Sequence, residues 1–485
     1  MKDRRCRLPF GLLATLAFAD FVFTSGEAFA HGTERGLVML LPTNYYLIGG
    51  AIAVAASFAI LLLIPARVFE SATNAVIVFS DLRFPPPTAT SIVSTGLLFL
   101  LLATGIASTS DPLENPLPLF VWTFFWVGFT LLQAVFGNLW PWFNPWTGPL
   151  AVLRKLTGRP LGITPIMTMP ARLGYAPAII LFLLFAWYEL VSLAPEDPSQ
   201  LAHVVSVYWL FTLCAMAIFG EKEWSKRAEP FSVYFHMIGM LAPLSAAPAN
   251  EEKKGNTVYL SWPGQRCLDV AGPPISGALF LLLTLGTASF DGFSETFTWL
   301  ATVGVNPLEF PGRSAVTLSN SFGLIAAPLV LASLYLAAVM AGGWAAGERS
   351  PSAVLRLSCH LVYSIVPISI AFHAAHYLTL ILINSQYLYA VISDPFALGW
   401  DLFGTAHWHV TASFLTSIDS VQIIWIVQTL IIVLGHCVGI LLAHMIALRH
   451  FGDSQRATVS QIFLAMVMVF YTVFGLWLLS TPTVG

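Results

Sequence analysis

Two imidazoles three residues apart, His373 and His376 in Ala371-Phe372-His373-Ala374-Ala375-His376-Tyr377, lie inside a long apolar stretch of the chain. On an α-helix that spacing puts both rings on one face, with Cβ atoms about 5–6 Å apart. Such a pair suits two ligands of one metal ion. An ionisable side chain inside a membrane helix costs about 2.5–3.5 kcal/mol even on insertion scales, so those that occur are functional candidates. Glu189, in Ala186-Trp187-Tyr188-Glu189, and Asp291, in Phe290-Asp291-Gly292-Phe293, are expected at the same depth. Two carboxylates with two imidazoles form a donor set for zinc, iron or manganese. The expected ligands are His373, His376 and Asp291, with Glu189 and Asp291 as ligand or general base. His436, near the bilayer centre, is expected to orient or transfer a proton. His444, eight residues on and about 12 Å deeper at 1.5 Å per residue, is too far for the same ion. The competing role for all of these is hydrogen bonding between helices, the commonest work of polar groups in membranes.

Six further histidines divide by position. His236, His360 and His450 read as cytoplasmic interface residues, and His407 and His409 in Ala406-His407-Trp408-His409 as outer-loop residues able to cap a site. His31 is of another kind. Cleavage before it would free an α-amino group to chelate copper together with its own imidazole. No GxSxG elbow, HExxH or Walker loop is present, so serine-hydrolase and nucleotide-driven chemistry lack their motifs.

The elements that must position these groups follow from composition. The 485 residues are 57% hydrophobic and 10% charged, against about 25% charged in soluble domains, so the chain needs lipid as its solvent. A formal charge of -3 argues against nucleic acid as a partner, which needs Lys and Arg concentrated on one surface. A basic start (Lys2, Arg4, Arg5, Arg7), an apolar run from Leu8 to Phe23 and the small-x-small site Ala28-Phe29-Ala30 read as a cleavable signal peptide over 1–30. A single polytopic membrane domain is expected over 31–485. Its fold class is all-α, a bundle of about ten spans of about 20 residues each. They fall near 44–64, 89–108, 118–137, 174–193, 203–219, 274–290, 320–341, 357–383, 421–447 and 459–480. With His31 outside, 16 of the 18 cations that follow the signal segment fall in inner loops, leaving Arg35 and Arg313 outside. That is the positive-inside pattern of a multi-pass protein of a bacterial inner membrane with both termini periplasmic. The inner segment 220–273 holds a short apolar stretch after Glu229, read as an interfacial helix, and a solvated charged loop. Five cysteines show no paired spacing, so no disulfide framework or CxxC metal site is expected.

Several local stretches together resemble one family. They are Ala30-His31-Gly32, Phe143-Asn144-Pro145-Trp146, Glu229-Pro230-Phe231-Ser232-Val233-Tyr234-Phe235, Phe290 to Phe293, His373 to Leu378, and Asp394-Pro395 continuing through Gly399-Trp400-Asp401-Leu402-Phe403-Gly404-Thr405. The chain resembles, over nearly all its mature length, bacterial polytopic membrane proteins that include fenitrothion hydrolase. The resemblance implies a membrane-bound hydrolase of organophosphorothioate triesters that releases a nitrophenol and a dialkyl thiophosphate, with a possible second membrane subunit. It assigns no catalytic residues. A neutral lipophilic triester partitions into the bilayer, and a divalent metal ion (zinc, iron, manganese or copper) could activate water for its hydrolysis. The tryptophans Trp140, Trp142, Trp146, Trp400 and Trp408 could pack an aryl leaving group or form the interfacial belt. The alternatives are a transporter using the intramembrane histidines, a copper-dependent oxidoreductase built on His31, and a non-catalytic membrane subunit.

Overall fold

The structure, a computed structural model, describes residues 38, 41–61, 63–64, 76–82, 84–247 and 256–483. The expected signal peptide and His31 lie outside the described residues. Among these residues nine helices are long and apolar enough to cross a membrane. They are α1 (Thr43–Leu61), α2 (Pro87–Ala107), α3 (Pro116–Phe136), α5 (Pro198–Phe219), α7 (Ile275–Ser294), α8 (Thr317–Ala345), α9 (Pro351–His376), α11 (Ile418–Phe451) and α12 (Ser454–Ser480). Shorter apolar helices are α4 (Ala176–Leu190) and α10 (Leu378–Val391), and α6 (Pro230–Gly239) lies between α5 and α7. The all-α polytopic bundle expected from the apolar runs is the architecture found.

Local chemistry sets the helix ends. Asp197 caps α5, accepting the Gln200 N–H at 2.8 Å, and Asp453 caps α12, accepting that of Arg456 at 2.7 Å. Such caps satisfy backbone donors that the first helical turn leaves open. Gly452 ends α11 in the left-handed region at φ 64°, where a side chain would be strained. The apolar windows of α7 and α9 are 78% buried and that of α1 is 17% buried. The first two therefore form the centre of the bundle and α1 its rim. Around that centre α9 packs on α11, α11 on α12, and α7 on both α8 and α9. A methyl group on Gly286 would stand 2.6 Å from the Pro328 Cα, so the α7–α8 crossing requires a residue without Cβ.

At 15 residues α4 is about 22 Å long, less than a hydrocarbon core of about 30 Å. It nevertheless joins opposite ends of the bundle. The Ile166 N–H donates to the Ile218 carbonyl at 2.8 Å, placing the segment before α4 beside the C-terminus of α5. The Trp122 Nε1–H donates to the Pro195 carbonyl at 3.2 Å, placing the segment after α4 beside the start of α3. One end of the bundle carries Arg154, Lys155, Lys222, Lys226 and Arg227 on the segments flanking α4 and α5, and the other carries Asp111, Glu114, Glu196 and Asp197.

The basic end departs from the sequence reading. Instead of a simple loop it holds a small antiparallel sheet, order β1-β3-β2, of β1 (Ile77–Leu82), β2 (Leu244–Ala247) and β3 (Asn256–Leu260). Leu260 pairs with both Ile77 and Leu244. The short apolar helix expected there is α6, and its cap is Glu229, a fully buried carboxylate. Glu229 accepts from the Phe231 N–H at 3.0 Å, the Ser232 N–H at 2.6 Å and the Trp140 Nε1–H at 3.1 Å, and also from the Tyr208 and Ser232 hydroxyls. Burying a carboxyl group is tolerable when hydrogen bonds replace its water, and here five donors do so.

Candidate functional site

Three helices end at the acidic end of the bundle with an ionisable residue in the last turn: α4 with Glu189, α7 with Asp291 and α9 with His376. Helix C-termini carry partial negative charge, so they favour an imidazolium there and disfavour carboxylates. The two acids are thus not caps; they stand against the local dipoles. Arg313 supplies one compensation, donating to the backbone carbonyls of Glu189 at 2.8 Å and Ser192 at 3.2 Å at the end of α4.

The groups meet at one tyrosine. Tyr377 occupies the break between α9 and α10, and its hydroxyl lies 2.6 Å from Asp291 Oδ2 and 3.2 Å from Glu189 Oε1. The same Asp291 oxygen is 3.0 Å from His376 Nε2. The Trp126 Nε1–H approaches the Tyr377 oxygen at 3.4 Å. The Tyr377 ring sits between the two imidazoles, 4.9 Å from His373 and 4.7 Å from His376 between centroids. Asp291 is buried, while His376, Tyr377 and Glu189 are partly buried. A methyl on Gly292 would touch the His376 ring at 3.5 Å, so the α7 backbone closes one side of that imidazole.

His373 is directed elsewhere by a feature of α3. Residues Leu119–Phe129 of that helix form a π-helix, a wide turn found mostly as short pieces at functional sites. At its end the Thr130 N–H bonds the Val127 carbonyl. The Trp126 carbonyl then receives the Thr130 hydroxyl at 2.6 Å and His373 Nε2 at 3.2 Å. A carbonyl only accepts, so Nε2 of His373 carries the proton and its lone pair is on Nδ1. The two histidines share a helix face, as their spacing predicts, but His376 faces Asp291 and His373 faces α3.

Of the residues singled out from sequence, Glu189, Asp291 and His376 come together at one depth, and His373 is one turn away. His436 is not bonded to this cluster: its Nδ1 meets the Ile432 carbonyl at 2.8 Å, and its ring lies 6.5 Å from that of Tyr471. His444 is buried further along α11. His407 and His409 lie in the loop between α10 and α11, where Trp400 and Trp408 are exposed. Trp140 and Trp146 belong to the basic end, beside Glu229 and Trp209, so they do not line this cluster. Sequence reasoning passed over Tyr377 and Trp126. The signal for Tyr377 was adjacency to the histidine pair; nothing in the sequence marked Trp126, whose role depends on the π-helix.

Among the described residues no three His, Cys, Asp or Glu side chains are grouped to hold a metal ion. Asp291 and His376 could supply two donors at the expense of the hydrogen bond between them. Compared with protein-family models, curated proteins and solved structures, the chain matches none. What the arrangement can do chemically is move protons: an imidazole paired with a carboxylate is a base, and a phenol tied to two carboxyls is a relay.

Proposed function

We propose that the chain is a membrane-bound hydrolase of neutral, lipophilic organophosphorus triesters, with Asp291 and His376 acting together as the general base. The observation that supports it most is the 3.0 Å Asp291–His376 contact, with the Tyr377 hydroxyl on the same carboxylate oxygen. A carboxylate that orients an imidazole and stabilises its protonated form is the arrangement by which water is activated in many hydrolases. Water would attack phosphorus as its proton passes to the pair; the P–O bond to the aryl group breaks and the nitrophenolate leaves. A neutral triester reaches such a site from the bilayer. The resemblance to the fenitrothion hydrolase family supports the same substrate class. A divalent metal ion, where the reaction uses one, would take Asp291 and His376 as its protein donors and supply Lewis-acid activation of the water or phosphoryl group.

The cation-rich loops support a bacterial inner-membrane orientation with the basic end cytoplasmic and both termini periplasmic, which would put the cluster on the periplasmic side. A proton-coupled permease is the second reading. His436 favours it: the residue is 1% exposed, and among the described residues its Nε2 has no hydrogen-bond partner. Membranes containing this chain alone, given a nitrophenyl phosphorothioate, should release nitrophenolate, and Asp291→Asn and His376→Ala should abolish release while preserving expression. A chelator arm reports on metal. Solute uptake by proteoliposomes without product would replace the hydrolase with the permease, and no release by the chain alone would leave a subunit role.

A further inference from the structure

A second built surface lies at the basic end of the bundle, opposite the acid cluster. A helix of 11 residues, Thr147–Thr157, comes after α3; at about 16 Å it reaches only half-way across a hydrocarbon core. It begins beside the start of α2, where the Gly148 N–H donates to the Ser91 hydroxyl at 2.8 Å. The helix therefore lies at the rim of the membrane instead of crossing it. Gly148 packs on Ile92 of α2 and Leu150 is buried. Val152 and Leu156, four residues apart, share the outer face with Lys155, and Leu156 is 78% exposed.

The elbow that follows, 158–173, is pinned through its backbone. Arg154 donates to the Leu161 carbonyl at 3.1 Å, the Glu221 N–H to that of Gly162 at 2.8 Å, and the Ile166 and Met167 N–H groups both to that of Ile218. Ile163, Ile166 and Met167 are nevertheless left facing outward, Ile166 at 70% exposure. Large apolar side chains fixed in that position form a surface for an apolar occupant.

Charge selects the occupant. Over 147–173 and the adjoining helix Glu221–Arg227, seven cations stand against two carboxylates. Both carboxylates are already taken, Glu221 by Arg154 at 3.4 Å and Glu223 by Arg227 at 2.8 Å. Lys155, Arg159, Arg172, Lys222 and Lys226 are exposed and make no ion pair among the described residues. An apolar protein face, or a lipid without net charge, would leave this surplus uncompensated. An anionic phospholipid satisfies both halves of the surface: its acyl chains lie on Val152, Leu156 and Ile163, and its headgroup meets the cations, whose long stems follow the apolar surface.

We propose that 147–173 is a seat for an anionic phospholipid of the leaflet at the basic end, with Lys155 and Arg159, which bracket Leu156, holding its headgroup. The elbow leads directly into α4, so the bound lipid also steadies the point at which that short helix enters the membrane. The seat does not depend on the hydrolase reading.

Native mass spectrometry of the full chain in a neutral detergent counts bound lipids directly. Phosphatidylglycerol should bind saturably, and phosphatidylcholine with the same acyl chains far more weakly. Lys155→Gln combined with Arg159→Gln should weaken phosphatidylglycerol binding about 30-fold, at about fivefold for each cation removed. The charge-conserving pair Lys155→Arg with Arg159→Lys should retain it. Arg349→Gln with Arg356→Gln, exposed cations flanking the start of α9, should leave it unchanged. Phosphatidylglycerol should also raise the thermal midpoint of the wild type and not that of the Lys155→Gln, Arg159→Gln protein. Equal affinity for the two lipids, or equal losses in the two glutamine pairs, would overturn the seat. Displacement of the lipid by millimolar inorganic phosphate would assign the cations to a free anion and overturn it as well.

Discussion

Glu229→Gln isolates the strain of replacing a buried acceptor with a group of the same shape. The carboxylate divides its five donors between two oxygens: Tyr208 Oη–H and the Phe231 N–H on Oε1, and the Trp140 Nε1–H with the Ser232 N–H and hydroxyl on Oε2. An amide has one oxygen. Its better placement keeps that oxygen on the side with three donors and turns the NH2 toward Tyr208 and Phe231. The Tyr208 hydroxyl can rotate and accept, but the Phe231 N–H is left facing another N–H. An orphaned buried donor costs about 1–3 kcal/mol, and hydrogen bonds to a charged group exceed neutral ones by about 1 kcal/mol each. The neutral amide is cheaper to bury, which returns part of this. The expected net loss is about 2–4 kcal/mol. It should appear as a lower midpoint in an SDS titration of the protein in mixed micelles. Because α6 also carries Tyr234 against Trp126, the variant should lose part of its nitrophenolate release as well. A midpoint within about 0.5 kcal/mol of the wild type would refute the five-donor account, particularly if Trp140→Phe were equally silent.

Other expectations follow from the same contacts. Tyr377→Phe keeps the ring packing and removes the hydroxyl from Asp291 and Glu189, so it should lower the unfolding midpoint by about 1–3 kcal/mol and reduce nitrophenolate release; unchanged release would remove the relay. Gly286→Val places a branched side chain where Pro328 already stands, and should cost about 1–3 kcal/mol by overpacking, with Gly286→Ala less severe; equal stability of all three proteins would show that the α7–α8 crossing is loose. In the outer loop, bonds from the Ala406 N–H at 3.1 Å and the Ser393 hydroxyl at 2.9 Å hold the Asp401 carboxyl below its ordinary range. A depressed folded-state value means its contribution is present above the unfolded carboxylate range, about pH 4, and is lost as pH falls through the lower folded value. Trp400 fluorescence should therefore report loop loosening at acid pH, and Asp401→Asn should remove that acid transition.

The bundle was legible because a bilayer imposes a length and a composition on every helix that crosses it; the ten expected runs fall on α1 to α5, α7 to α9, α11 and α12, although the run 357–383 crosses the break at Tyr377 into α10. Even α4 was expected as a crossing, although it has only 15 residues. The β1–β3–β2 sheet was not legible. Its strands are four to six residues long, and β1 pairs with β3 across five intervening helices, a relation no local pattern encodes. The HxxH spacing gave a shared face, and the order of the spans put Asp291 and Glu189 at the depth of His376, where the three side chains meet around Tyr377. The spacing could not tell that the π-helix in α3 would turn a carbonyl toward His373.

By itself the sequence determined which long apolar segments are helices able to cross a membrane and which ionisable groups lie at their ends. Those properties are local, fixed by hydrophobicity, spacing and charge along the chain. Which groups touch was decided only by the tertiary structure, because a hydrogen bond between α7, α9 and α4 depends on helix rotation and on the break that frees Tyr377 to reach both Asp291 and Glu189. A turn of one residue, about 100° on a helix, would leave the sequence pattern intact and separate the cluster.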